Sequence, residues 1–163
     1  MEPASPVTVD VVQRMEPELR DLIATHLAET AATSPPESVH TLTPAQLLGS
    51  TVTLWQATLG ERLVGCVALK ALASGDGELK SMRTVAAARG RGVGGLLLAT
   101  VLDEARRRGY ATLYLETGPM AYFDAARRLY DRAGFEVCPP FDGYTDDPNS
   151  VFMRRSLVPA HHD

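Results

Sequence analysis

The sequence predicts a mixed α/β fold of the α+β kind, a single sheet of about seven strands flanked by about four helices. Three observations carry this reading. Apolar residues recur with period two and period 3.6 in segments ordered β-α-α-β-β-β-α-β-α-β-β. Three strand-like segments follow one another directly between residues 51 and 85, joined by short glycine-containing turns, as antiparallel neighbours are. The 163 residues suit one domain and contain no internal repeat, low-complexity tract or linker. The domain is placed at residues 1–158, with 159–163 as a flexible tail.

The elements follow in order. Val7, Val9 and Val11 alternate with polar residues, giving a strand from Pro6 to Val12. Pro17 opens a helix that carries Leu19, Leu22, Ile23 and Leu27 at helical spacing. Thr33-Ser34-Pro35-Pro36 interrupts the chain, and Thr43-Pro44 caps a short helix over Ala45 to Leu48. Thr51 to Thr58 and Leu63 to Ala73 form a hairpin about Leu59-Gly60-Glu61-Arg62, and a turn at Ser74-Gly75-Asp76-Gly77 leads into a strand from Glu78 to Val85. Leu79 and Met82 lie three apart in that strand, so strict alternation cannot put both on one face; a β-bulge, or burial on both sides, accounts for them equally well. The helix running to Arg108 has Val93, Leu96, Leu97, Val101, Leu102 and Ala105 as one stripe, with Asp103–Arg107 and Glu104–Arg108 pairs on its wet side. Gly109 stops it. Ala111 to Glu116 reads as a short buried strand, Gly118-Pro119 as the start of a helix through Ala133, and Gly134 as its end. Phe135 to Cys138 and Val151 to Leu157 are the last strands, separated by a long polar loop with Pro139-Pro140 and Asp146-Asp147-Pro148.

Composition excludes several function classes. The net charge of −4 gives no footprint for nonspecific nucleic-acid binding. No apolar run reaches a membrane span, and Met1-Glu2-Pro3 lacks the features of a signal peptide, so a cytoplasmic location with no membrane partner is expected. Cys66 and Cys138 lie far apart and the four histidines, His161-His162 included, are scattered, so no metal is expected. Residues 1–60 carry seven acids and two bases, whereas 61–163 carry 13 acids and 14 bases, with arginines clustered at 83–108. Arg106-Arg107-Arg108 complements a helix dipole. The remaining arginines flank a more informative segment.

That segment is Arg89-Gly90-Arg91-Gly92-Val93-Gly94-Gly95, between a strand and a helix. Unpaired backbone N–H groups at the positive end of a helix dipole bind phosphate, and glycines let the anion approach closely. A tight turn that uses glycine only for its dihedrals is the competing reading, and four glycines within six residues at a strand-to-helix junction favour the phosphate cradle over it. No Gly-Lys-Ser/Thr follows, which excludes a Walker loop. Gly90-x-Gly92-x-x-Gly95 matches the dinucleotide pattern, with Glu116 at the next strand end. Against a dinucleotide fold, the glycines come four residues past the strand, a hairpin precedes them, and about 70 residues follow.

Arg89-x-x-Gly92-x-Gly94 resembles the Q/R-x-x-G-x-G/A signature of the GCN5-related N-acetyltransferase (GNAT) superfamily, and Tyr130 with Gly134-Phe135 resembles its second block, Tyr-x-x-x-Gly-Phe. The resemblance runs from the hairpin to the last strand. It implies a mostly antiparallel sheet split between its fourth and fifth strands, a bulged fourth strand, and acetyl-CoA as cosubstrate. By resemblance the cofactor-binding residues are Met82, Arg83 and Thr84 on the fourth strand, with backbone groups of Met82 and Thr84 on the pantetheine. The loop Arg89, Gly90, Arg91, Gly92, Val93, Gly94 and Gly95 takes the diphosphate. The sequence departs from the family where Phe123 replaces a frequent Asn and Ala86 a usual Pro.

The implied reaction is direct attack of a small amine on the acetyl thioester. Tyr130, at the family's position for the acid, is the candidate proton donor to the thiolate; on its helix it also shares a face with Phe123, Ala126 and Ala133, which suits a core tyrosine. Glu78 is the candidate acceptor of the amine's proton through an intervening water, or an exposed acid beside a turn. Glu116 is the candidate anchor for a cationic substrate, or a surface strand terminus. Cys138 has no basic neighbour in sequence and reads as an inert thiol. Two rivals stay open: a nonenzymatic acyl-CoA-binding sensor and a dinucleotide-binding oxidoreductase. The oligomeric state is open too, a homodimer included.

Overall fold

Seven strands form one sheet in the order β1-β2-β3-β4-β5-β7-β6. They are β1 (Val7–Val11), β2 (Val52–Leu59), β3 (Arg62–Ala71), β4 (Gly77–Thr84), β5 (Thr112–Thr117), β6 (Glu136–Val137) and β7 (Val151–Ser156). The helices are α1 (Pro17–Thr33), α2 (Pro44–Leu47), α3 (Val93–Arg107) and α4 (Asp124–Arg132). A computed structural model describes residues 6–33 and 41–158. The expected tail at 159–163, the terminal histidines, Met1-Glu2-Pro3 and Ser34-Pro35-Pro36 lie outside them.

Every neighbouring pair is antiparallel except β4–β5. That topology removes the dinucleotide-binding alternative, whose fold needs a mostly parallel sheet. The central strand β3 is covered on both faces. Cys66 and Ala68 pack with Leu19, Leu22 and Ile23 of α1, and Val67 and Leu69 join Val93, Leu97 and Val101 of α3. Period-two alternation thus sends one strand's side chains into two cores. On α2, Thr43 forms a capping box with Gln46, as its position before Pro44 predicts.

In β4, the bulge is the alternative that holds. Cys66 faces Arg83 while Ala68 faces Lys80, so β4 spends one residue more than β3 over the same span. Ser81 takes the extra place at φ +54°, and Cys66 Sγ donates to its carbonyl at 3.4 Å. Leu79 and Met82 then both pack into the α3-side core. The helix expected from Gly118 starts later, at Asp124, after a 3₁₀ turn at Ala121–Phe123. The carbonyls of Gly118 and Met120 accept from Arg127 Nη1, the Met120 carbonyl also accepts the Phe123 N–H of the 3₁₀ turn at 2.9 Å, and a Cβ on Gly118 would lie 2.7 Å from the Phe123 ring.

Candidate active site

The glycine segment forms the turn into α3. Gly90 and Gly92 have φ of +83° and +79°, where an L side chain is strained. Gly92 is the N-cap and no side chain caps the helix, so its first-turn N–H groups have no side-chain partner. A Cβ at Gly90, Gly92 or Gly95 would meet nothing within 4 Å, which leaves the surface beside those N–H groups open. Gly94 is different: its Cβ would approach Leu129 Cδ2 to 3.2 Å, so here glycine lets α3 lie close to α4. Arg89 and Arg91 stand exposed alongside. These features fit an anionic diphosphate. Phe123, in the place of the frequent Asn, lines the neighbouring cleft as an apolar wall.

That cleft follows from the sheet. β4 and β5 pair only from Gly77–Leu113 to Leu79–Leu115, and past this point they part. The gap has about 690 Å³ of empty space, open to solvent, lined by residues of β4 and β5 together with His26, Thr30, Tyr130 and Asn149. Glu78, Glu116 and Tyr130 therefore share one cleft.

Each has a distinct environment. Glu78 is only 1% exposed, which removes the reading of an exposed acid. Its Oε2 accepts from Tyr144 Oη at 2.8 Å and Lys80 Nζ at 3.2 Å, while Oε1 is buried with no hydrogen-bond partner. Glu116 is not a surface terminus either: it accepts from Ser150 Oγ at 3.0 Å, and burial pushes its carboxyl up to about 7. The nearby negative charges of Glu78 and Asp147 push the same way, while Ser150 and Lys80 oppose them. Tyr130 belongs to the α3-side core, 5.8 Å from the Phe135 ring, and also lines the cleft. Burial alone drives its hydroxyl far above the ordinary tyrosine value, so it holds its proton.

Arg83, next to Met82, points to the α1 side of β4. Its Nη1 donates to Glu29 Oε2 at 2.5 Å and to Tyr122 Oη at 2.7 Å, and Tyr122 donates to Glu29 at 2.9 Å. The Arg83 guanidinium is thus engaged, leaving its backbone for any ligand along β4. Both cysteines are buried, and desolvation pushes Cys66 up to about 12. Among the described residues no His/Cys/Asp/Glu group could hold a metal, and no helix is long and apolar enough to cross a membrane.

Sequence reasoning missed His26, Lys80 and Tyr144. His26 does sit three and four residues after Ile23 and Leu22, on the buried stripe of α1, and that was a usable signal. Burial lowers its imidazole to about 4, with Arg83 adding to the effect and Glu29 opposing it. Tyr144 sits near Phe141 in an otherwise polar loop, an aromatic pair that marks a docked segment.

The comparisons agree with this geometry. The model of the Acetyltransferase (GNAT) family matches residues 19–135. "Uncharacterized N-acetyltransferase YsnE" of Bacillus subtilis (strain 168) is 48% identical over 83% of this chain and 90% of its own length. A Klebsiella pneumoniae structure assigned to the acyl-CoA N-acyltransferases is 32% identical, covers 93% of this chain and 98% of its own, and superposes with a TM-score of 0.75. A GNAT family acetyltransferase from Elizabethkingia anophelis, solved with acetyl-CoA bound, shares the fold at a TM-score of 0.67 and 18% identity, over 92% and 97% of the two chains. With a split mixed sheet, an uncapped glycine turn and relatives this similar over most of its length, the chain belongs to the GNAT family and is an N-acetyltransferase.

Proposed function

We propose that the protein transfers the acetyl group of acetyl-CoA to a small amine by direct attack. One observation carries the reading: the split between β4 and β5 gathers Glu78, Glu116 and Tyr130 into a single cleft beside the uncapped start of α3. Acetyl-CoA supplies the activated thioester. Its diphosphate suits the first-turn N–H groups at Val93, Gly94 and Gly95 with Arg89 and Arg91, and its pantetheine suits the β4 backbone at Met82, Arg83 and Thr84. The acetyl-CoA held by the related fold from Elizabethkingia anophelis supports this choice.

This chain's residues then divide the proton work. Glu116, ionised above about pH 7, holds a cationic amine in the cleft. Glu78 Oε1 takes one proton from the ammonium and passes it to solvent, which frees the nitrogen lone pair to bond to the acetyl carbon, and the second nitrogen proton leaves as the tetrahedral intermediate collapses. As the carbon–sulfur bond breaks, Tyr130 donates its hydroxyl proton to sulfur and is reprotonated afterwards. Of the two protons an ammonium acceptor sheds, one ends on the thiol and one in solvent. Tyr130 packs its ring in the core and lines the cleft, which supports its serving both tasks considered for it.

The test is thiol release from acetyl-CoA across a panel of primary amines and amino acids, followed by Tyr130→Phe with the amine that turns over fastest. The kcat is expected to fall about 10²–10⁴-fold, the range for a positioned acid, with acetyl-CoA affinity nearly unchanged. Unchanged kcat removes Tyr130 from the mechanism. Acetyl-CoA binding without turnover on any of these amines overturns the small amine as the acceptor.

A further inference from the structure

The long polar loop between β6 and β7 contributes a side chain to the reacting carboxylate. Tyr144 Oη lies 2.8 Å from Glu78 Oε2 and 3.0 Å from Lys80 Nζ, and Lys80 Nζ lies 3.2 Å from the same Oε2. The three groups close a ring of hydrogen bonds in which Tyr144 donates to Glu78 and accepts from Lys80. Two donors converge on one oxygen. The other, Oε1, is buried without a partner in a residue that lines the cleft. A lone unsatisfied carboxylate oxygen costs stability, and such a group persists where a ligand's donor completes it.

The ring of Tyr144 is held independently of its hydroxyl. Phe141 stacks on Tyr114 of β5 at 4.6 Å, and Tyr144 meets Phe141 at 5.1 Å and Phe152 of β7 at 5.5 Å. An aromatic platform therefore fixes where the hydroxyl sits, and the platform survives its removal. Burial and the charge of Glu78 drive the Tyr144 hydroxyl far above its ordinary value, so it remains a donor.

We infer that Tyr144 is a positioning residue: with Lys80 it occupies Glu78 Oε2, orients the carboxylate, and reserves Oε1 for the acceptor's proton. The inference rests on the reading of Glu78 as the base. The loop thereby becomes part of the active site, although its sequence reads as a polar connection.

Tyr144→Phe is expected to lower kcat about 10- to 100-fold, as the loss of a hydrogen bond to a charged group would. The KM for acetyl-CoA should stay within about twofold, since nothing at the α3 turn changes. The loss should therefore fall on kcat and leave acetyl-CoA binding in place, a split that a general loss of structure would not give. In a double-mutant cycle, Tyr144→Phe should add nothing to Glu78→Gln.

The outcomes separate the two readings. Full activity in Glu78→Gln removes the base reading, and this inference falls with it. An impaired Glu78→Gln beside an unimpaired Tyr144→Phe leaves the base standing and overturns the role of Tyr144. So do multiplicative losses in the double variant, or a loss that falls on the KM for acetyl-CoA and not on kcat. A Tyr144→Phe protein that loses activity only by unfolding overturns it as well, because the hydroxyl would then be a structural tie.

Discussion

Replacing Glu116 with Gln should make the protein more stable at alkaline pH. The carboxyl titrates near 4.5 in the unfolded chain and at about 7 in the folded one, chiefly because burial disfavours its charge. A folded pKa above the unfolded one means that no penalty exists below 4.5. It grows as pH rises and is complete above about 7. Moving a carboxyl that far corresponds to about 3 kcal/mol at full ionisation, and relaxation of a partly exposed group brings the expected effect to about 1–3 kcal/mol. Gln keeps a carbonyl oxygen to accept from Ser150, so the contact at 3.0 Å can survive the exchange. Urea titrations of both proteins from pH 4 to pH 8 measure the gap. Glu116→Gln should unfold at higher urea at pH 8, and the two curves should converge at pH 4. Equal stability at pH 8, or a gap already complete at pH 4, refutes the assignment of a charge held against its solvation. The same variant should bind a cationic acceptor more weakly, which gives the stability penalty a functional reason.

Two further tests address other parts of the cleft. Gly95→Glu should fold as well as the wild type, because a Cβ there meets nothing within 4 Å and an acid suits the first turn of a helix. It should nevertheless weaken acetyl-CoA binding at least about tenfold, read as loss of the ligand's thermal shift, which for a native-state ligand at a hundred times Kd reflects about 2.7 kcal/mol. His26, lowered from 6.5 to about 4, contributes stability that is present above 6.5 and lost as pH falls toward 4, on the order of 3 kcal/mol. His26→Gln should remove that slope. Since Glu116 acts in the opposite direction between 4.5 and 6.5, each effect is read as variant minus wild type.

How much was legible in the sequence depended on the range of the interaction. Local signals worked well. Thr43 before Pro44 marked the cap of α2, glycines marked the turn into α3, and the three-residue spacing of Leu79 and Met82 marked an irregular strand without deciding between a bulge and burial on both sides. The start of α4 was misread because Arg127 reaches back to the carbonyls of Gly118 and Met120, side-chain contacts within the segment that no apolar periodicity encodes. The burial of Glu78 was illegible because Tyr144 lies 66 positions away and arrives only when the loop docks. Motif spacing located the α3 turn and Tyr130. No spacing rule could reveal that Ser150 sits on Glu116, or that Glu29 and Tyr122 claim the guanidinium of Arg83.

The parting of β4 and β5 also bears on how the molecule avoids sticking to its neighbours. Unpaired strand edges are templates for another chain, and proteins usually blunt them with charge, bulges or cover. Here the pairing stops after Leu79 and Leu115, so two bare edges face each other in the middle of the sheet, with Tyr130 of α4 and His26 of α1 lining the space between them. A foreign strand has no straight approach to edges recessed in this way, and the bulge at Ser81 breaks the regular repeat it would need. A slender molecule that enters lengthwise meets no such obstacle. These inner edges are thus open to a slender ligand and shielded from another chain's strand.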